Sequence, residues 1–163
     1  KAFLVVGTGG AGSAIAATLA QSGLRRLTIS DLDTGRAEAL ANRLHGAVPE
    51  LPIAVESAGP NPAGYDVVVN ATPLGMHVDD PMPIDPDLLK GDTVVAEVVQ
   101  VPPVTRLLKE AKALGHRTLQ GGSMLDYQFI EMARFFRCAE KVRSLKHLQE
   151  RWIVRSSGQS ALS

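Results

Sequence analysis

Ala2-Phe3-Leu4-Val5-Val6-Gly7-Thr8-Gly9-Gly10-Ala11-Gly12 carries two signals at once. The unbroken apolar run from Ala2 to Val6 suits a central parallel strand buried on both faces. It stops at Gly7, and Gly7, Gly9 and Gly12 then fit the spacing G-x-G-x-x-G. Each glycine has a mechanical reason. The first permits a tight turn out of the strand, the second lets a pyrophosphate approach the backbone, and the third lets a helix pack close to the sheet. Small residues follow from Ala11 to Ala20, with Ile15 and Leu19 on one helical face. They predict a helix opening straight from the turn, whose free N–H groups and partial positive charge suit an anion.

Working outward, Leu27-Thr28-Ile29 predicts a second strand that ends at Ser30-Asp31. Ala37, Leu40, Ala41 and Leu44 have the i, i+3, i+4, i+7 spacing of a buried helix face, with Asp33 or Thr34 as its cap. Ile53-Ala54-Val55 predicts a third strand, and residues 57–64, with two prolines and two glycines, a loop. Residues 65–70 read as a fourth strand and 93–99 as a fifth. The proline-rich stretch between them, from Thr72 to Gly91, is long, and a long ordered loop is more often functional than idle. Pro102 and Pro103 suit the start of a helix with Val104, Leu107, Leu108 and Ala111 as its buried stripe, Gly115 ends it, and Arg117-Thr118-Leu119 predicts a sixth strand. From Ser123 onward the pattern is helical, with Phe129, Met132, Ala133 and Phe136 on one face and Val142, Leu145, Leu148 and Trp152 on a last helix. Residues 156–163 form a polar tail. The alternation predicts an α/β domain over residues 1–155: a doubly wound parallel sheet of about six strands with helices on both faces, the Rossmann fold.

Composition narrows the function classes. Seventeen basic and seventeen acidic side chains cancel, so no clustered basic excess points to nucleic acid. Apolar residues make up 45% and charged residues 21%, a globular balance. No apolar run reaches the roughly 20 residues a membrane helix needs, and the first residues read as a core strand rather than a signal peptide. Cys138 is the single cysteine, which excludes an internal disulfide and fits a buried thiol in a reducing, cytoplasmic setting. His45, His77, His116 and His147 are scattered without metal-ligand spacing, so no metal is expected. Lys141, Arg143, Lys146 and Arg151 read as a solvated helix surface.

Asp31 lies roughly 20 residues beyond the glycine turn, where a carboxylate accepts both adenosine ribose hydroxyls. Its charge repels a 2′-phosphate and so favours NAD over NADP, whereas Arg36 offers that phosphate a partner. Asp33 reads first as a helix cap. Asn70-Ala71-Thr72-Pro73-Leu74-Gly75-Met76 leaves the fourth strand at the carboxyl end of the sheet, where ligands bind in this topology. The residues alone leave three alternatives open: a glycine turn that binds nothing, an S-adenosylmethionine-dependent methyltransferase, and a stand-alone dinucleotide-binding module without turnover.

Three segments together resemble the C-terminal, cofactor-binding half of the shikimate and quinate dehydrogenases. Residues 7–12 resemble that family's glycine turn, and 70–76 its N-A-T-P/S-x-G-M signature. Glu97-Val98-Val99-Gln100-Val101-Pro102-Pro103-Val104-Thr105, followed by Gly121-Gly122-Ser123-Met124-Leu125-Asp126-Tyr127-Gln128, resembles its D-x-x-Y-x-P-x-x-T and G-x-x-M-L-x-x-Q segments. The resemblance spans roughly residues 2–150. It implies that Gly7, Thr8, Gly9, Gly10 and Ala11 bind the pyrophosphate and that Asp31, Leu32, Asp33 and Arg36 surround the adenosine ribose. Ala71, Thr72, Pro73, Val98, Gly121, Met124 and Leu125 would lie along the nicotinamide ribose and ring, and Gln128 and Gln100 would reach the substrate. Asp31-Leu32-Asp33 stands where NADP-using members carry Asn-Arg-Thr, which resembles the NAD-using branch. Two residues depart from the pattern: Gln100 replaces the usual tyrosine and Glu97 the usual aspartate. The resemblance further implies a shikimate-like hydroxy acid as substrate, a homodimer, and a separate N-terminal domain that carries the catalytic Lys–Asp pair. No catalytic residue is assigned in this chain, which is expected to bind dinucleotide without turning over alone.

Overall fold

The structure is a computed structural model and describes residues 1–122. The helices read over Phe129–Phe136 and Val142–Trp152, Cys138, His147, the basic residues near them, Met124, Leu125, Gln128 and the polar tail lie outside the described residues.

Six parallel strands form one sheet: β1 (Ala2–Val6), β2 (Arg26–Ser30), β3 (Ile53–Glu56), β4 (Val67–Asn70), β5 (Val94–Glu97) and β6 (Arg117–Leu119). Their order is β3-β2-β1-β4-β5-β6. The chain begins in the middle, winds out to β3, returns to pair β4 with β1, and winds out the other way. The reversal between β1 and β4 opens a crevice at the carboxyl ends of the strands. Helices α1 (Gly10–Ala20), α2 (Thr34–Ala47) and α3 (Arg106–Ala113) are crossovers.

Side chains alternate between the two faces of the strands, and both faces are buried. Leu4, Val6, Val68 and Val95 pack with Leu107, Leu108 and Ala111 of α3. Val5, Leu27, Ile29 and Val69 pack with Ala16 and Ala20 of α1 and Ala37, Leu40 and Leu44 of α2. Each such Val or Leu contributes roughly 1.5–3 kcal/mol by leaving water.

Two details differ from the sequence reading. The deepest stripe of α1 is Gly12, Ala16 and Ala20, with Ile15 and Leu19 flanking it half-buried, because only small residues let the helix lie this close to the sheet. The helix expected from Pro102 starts at Arg106 instead. Thr105 is the reason: its side chain accepts the Leu108 N–H at 3.2 Å, which fixes the helix start there and leaves Val104 outside the helix and exposed. Residues 72–91 are the expected loop and hold only a 3-10 turn at Pro86–Leu88, yet Ile84 and Leu89 insert into the core where a crossover helix would otherwise sit.

The glycine turn is shaped by contact. Gly7 adopts φ 98°, and a Cβ there would press on Thr72 and Ala71. A Cβ on Gly12 would run into the Gly7 carbonyl, which is backbone and cannot swing away. Gly12→Ala is therefore expected to cost about 1–3 kcal/mol, the usual range for overpacking, read as a lower urea midpoint. An unchanged midpoint would contradict this packing.

Candidate functional site

Glu56, Ser30, Val6, Asn70 and Glu97 lie in one register row across the carboxyl ends of five strands. Just past that row the ladder continues into the turns. The Gly7 N–H donates to the Ser30 carbonyl at 2.7 Å, Ala71 to Val6 at 2.7 Å, and Val98 to Asn70 at 3.0 Å. The turns after β1, β2 and β4 thus leave the sheet side by side. Between them lies a cleft of about 250 Å³, lined by Gly7, Thr8 and Gly9, by Asp31, Leu32 and Arg36, by Ala58 and Gly59, and by Ala71–Leu74.

The cleft has an electropositive end. The first N–H groups of a helix have no partner within the helix. Asp33 caps α2 through the Arg36 N–H, Thr105 caps α3, and Asp85 caps the 3-10 turn. Only α1 among the described helices lacks a side-chain cap, and its first turn carries no acidic residue. Its N-cap, Gly9, lines the cleft, and a Cβ there would meet nothing within 4 Å. Polar hydrogens and empty space therefore coincide, which is the geometry that accepts an anion.

Asp31 supplies the opposite charge at the end of β2. Its Oδ2 accepts from the Thr8 N–H at 2.6 Å and the Thr8 hydroxyl at 2.5 Å, and its Oδ1 accepts from the Asp33 N–H at 3.0 Å. The Arg36 guanidinium stands 3.9 Å away. Burial raises the Asp31 pKa, but the hydrogen bonds from Thr8 and Asp33 and the Arg36 charge outweigh it, and the net shift is downward. A carboxylate has about four acceptor positions, so Asp31 keeps capacity for a ligand hydroxyl.

The 71–74 turn hangs on Asn70. Its Oδ1 accepts the Thr72 N–H at 3.0 Å and the Thr72 hydroxyl at 2.6 Å, and its Nδ2 donates to the Leu74 carbonyl at 3.0 Å. The same Nδ2 donates to Glu97 Oε2 at 3.0 Å, while the Thr105 hydroxyl donates to Glu97 Oε1 at 2.9 Å. Glu97 is only 2% exposed. Burial pushes its carboxyl up to about 7, against the hydrogen bonds from Thr105, Asn70 and the Val99 N–H.

The expected site residues divide. Gly7, Thr8, Gly9, Asp31, Leu32, Arg36, Ala71, Thr72 and Pro73 line one cleft. Gly10 and Ala11 form the first turn of α1 beside it. Asp33 serves as the cap of α2, and Val98 and Gly121 lie beyond β5, with Gly121 against the Val98 and Val99 carbonyls. Gln100 is exposed after β5. Sequence reasoning missed Ala58 and Gly59 as lining residues and the burial of Glu97. The place of Glu97 at the end of a buried strand was a signal for the last. Among the described residues no group of His, Cys, Asp and Glu has a metal-binding arrangement, and no helix is long and apolar enough to cross a membrane.

The fold and cleft define a Rossmann-like α/β domain. No family model matches the chain. It is 42% identical over 134 residues to a quinate/shikimate dehydrogenase (NAD(+)) of Corynebacterium glutamicum (strain R), covering 80% of this chain and 47% of that protein. A shikimate dehydrogenase (NADP(+)) of Halorubrum lacusprofundi is 40% identical over 128 residues, covering 78% of this chain and 45% of that one. Among solved structures, quinate dehydrogenase from Corynebacterium glutamicum in complex with NAD superposes with a TM-score of 0.76 at 39% identity, covering 83% of this chain and 49% of that one. The ligand-free 5-ketofructose reductase of Gluconobacter sp. strain CHM43 gives 0.75 at 35% identity, covering 83% and 50%. The chain is thus a homologue of the shikimate and quinate dehydrogenases, and it spans about half the length of the curated relatives it matches.

The Glu97 shift has a consequence for stability. Its carboxyl sits at about 7 in the fold against an ordinary 4.5, so between those values the folded chain binds the extra proton. Stability from this group is full below pH 4.5 and is lost as pH rises through about 7, a loss approaching ~3 kcal/mol. Glu97→Gln is expected to raise the melting temperature at mildly alkaline pH and to change it little in acid. An equal shift at both pH values would contradict the assignment.

Proposed function

We propose that this chain is the NAD(P)-binding domain of a shikimate/quinate-dehydrogenase-like oxidoreductase, and that its cleft takes NAD in preference to NADP. The observation that carries this reading is the uncapped start of α1, which opens onto the cleft beside the Asp31 carboxylate. Gly7, Thr8, Gly9, Gly10 and Ala11 would hold the pyrophosphate on free N–H groups. Asp31 would accept the adenosine ribose hydroxyls, with Leu32, Asp33 and Arg36 around them. Ala71, Thr72, Pro73, Val98 and Gly121 would flank the nicotinamide half, joined by Met124 and Leu125, with Gln100 and Gln128 toward the substrate. This arrangement fits NAD better than S-adenosylmethionine, because an uncapped helix start suits a phosphate anion rather than a sulfonium cation.

When bound, the nicotinamide supplies the hydride acceptor or donor. The protein positions it against the carbon bearing a ring hydroxyl of a shikimate-like acid, and the proton is handled by a second domain. The relatives are about twice as long as the matched region, which supports that division of labour. A cytoplasmic setting and a homodimer belong to the same proposal.

Calorimetric titration with NAD and NADP in parallel tests the cofactor. NAD is expected to bind about tenfold or more tightly, and Asp31→Asn to shrink that preference, since it keeps the shape and removes the charge that repels a 2′-phosphate. Tighter binding of NADP would mean that Arg36 outweighs Asp31. Gly9→Ala isolates the pyrophosphate contact. Its Cβ meets no protein atom, so stability should fall by at most about 1 kcal/mol, the cost of a poorer N-cap, while affinity drops sharply. Full affinity in Gly9→Ala would contradict the phosphate site. Incubation with NAD and shikimate or quinate is expected to give no turnover by this chain alone.

A further inference from the structure

Among the described residues, Glu97 is a buried carboxyl without a cation. The two ion pairs of the described residues, Arg36–Asp31 and Arg106–Glu110, do not involve it. It is met by the Asn70 amide from β4, by the Thr105 hydroxyl before α3, and by the Val99 N–H after β5. None of these carries a charge. A hydrophobic residue of this size would cost the fold less. Its two oxygens nevertheless have distinct tasks. The Thr72 N–H and hydroxyl both need an acceptor, so the Asn70 amide must turn its oxygen toward them and its NH2 toward Glu97. A carboxylate accepts that NH2 without conflict. A protonated oxygen facing it would set donor against donor.

We infer that Glu97 is a positioning residue for the cleft: as the carboxylate it fixes the Asn70 amide, and through it the 71–74 turn, in the form that receives the nicotinamide side of a dinucleotide. The inference rests on the proposed function and names the group that sets its pH dependence. Protonation moves the proton to Oε1 or Oε2. On Oε1 it reverses the Thr105 contact, although that hydroxyl also accepts the Leu108 N–H. On Oε2 it breaks the Asn70 contact. Either way the charge-assisted bond that anchors the turn weakens. A Cβ at Gly75 would sit 3.3 Å from the Thr105 side chain, so the far end of the turn is in touch with the same network. Among the described residues, the titratable groups beside the turn are His77, which is exposed, and Asp80, which accepts the Gly75 and His77 N–H groups at 2.9 Å and is held below the usual carboxylate range chiefly by the His77 N–H. Asp80 stays ionised near neutrality, and His77 is controlled for by substitution.

The test is an NMR pH titration of the whole chain, following the Thr72 and Leu74 amide signals, paired with NAD affinity across the same range. Both amide signals are expected to move with one midpoint between about pH 6 and about pH 8, well above a free carboxyl. The movement should persist in His77→Gln and vanish in Glu97→Gln. NAD binding should weaken roughly threefold to tenfold from the alkaline to the acid end, the scale of one charge-assisted hydrogen bond, and Glu97→Gln should flatten that profile. Amide signals that do not titrate, that titrate unchanged in Glu97→Gln, or that titrate while NAD affinity stays constant would overturn the inference. Signals that titrate in a chain that binds neither NAD nor NADP at any pH would overturn the proposed function and leave the Glu97–turn coupling standing.

Discussion

The contact between Gly12 and the Gly7 carbonyl sets the position of everything around the cleft. It brings the first turn of α1 against the end of β1, so that the helix start faces the crevice between β1 and β4. A side chain at position 12 would lift the helix and turn its free N–H groups away from that space. The small stripe Gly12, Ala16, Ala20 extends the same close approach along the helix. Residues that contribute little apolar area therefore fix the geometry, while Leu4, Leu27, Ile29 and their neighbours supply the burial that holds it.

A second layer of order lies in the polar row at the strand ends. Ser30, Asn70 and Glu97 are almost fully buried among apolar side chains. Such groups cost stability unless each finds a partner, and here each does: Ser30 donates to the Ser57 carbonyl, and Asn70 joins the 71–74 turn to Glu97. The row ties loops that have no regular structure to strands that do. Rigid strands thereby position irregular turns, which is where binding residues belong. Burial raises the Glu97 pKa because the ionised carboxyl is costly to hold in that row.

Much of this was legible in the sequence because the signals were periodic or sterically forced. Ala2–Val6, the glycine spacing and the Ala37, Leu40, Leu44 stripe each admit few alternatives, and right-handed crossovers make a doubly wound sheet the natural topology. The start of α3 was not legible: Pro102-Pro103 is a strong local signal for a helix start, and it lost to Thr105, whose hydroxyl is bound both to Leu108 and to Glu97. Ala58 and Gly59 were missed because a loop residue reaches a cleft by tertiary placement, which no local pattern encodes. The Asn70–Glu97–Thr105 network joins residues 27 and 8 positions apart, and nothing in composition or period pairs them.

We propose the open start of α1, beside the Asp31 carboxylate at the cleft, as a dinucleotide site. A crystal structure of the chain grown with NAD tests it most directly. Density is expected for a pyrophosphate on the N–H groups of residues 9–11 and for a ribose within hydrogen-bonding distance of the Asp31 carboxylate. An ordered dinucleotide elsewhere on the domain, or a cleft left to water at saturating NAD, would contradict it.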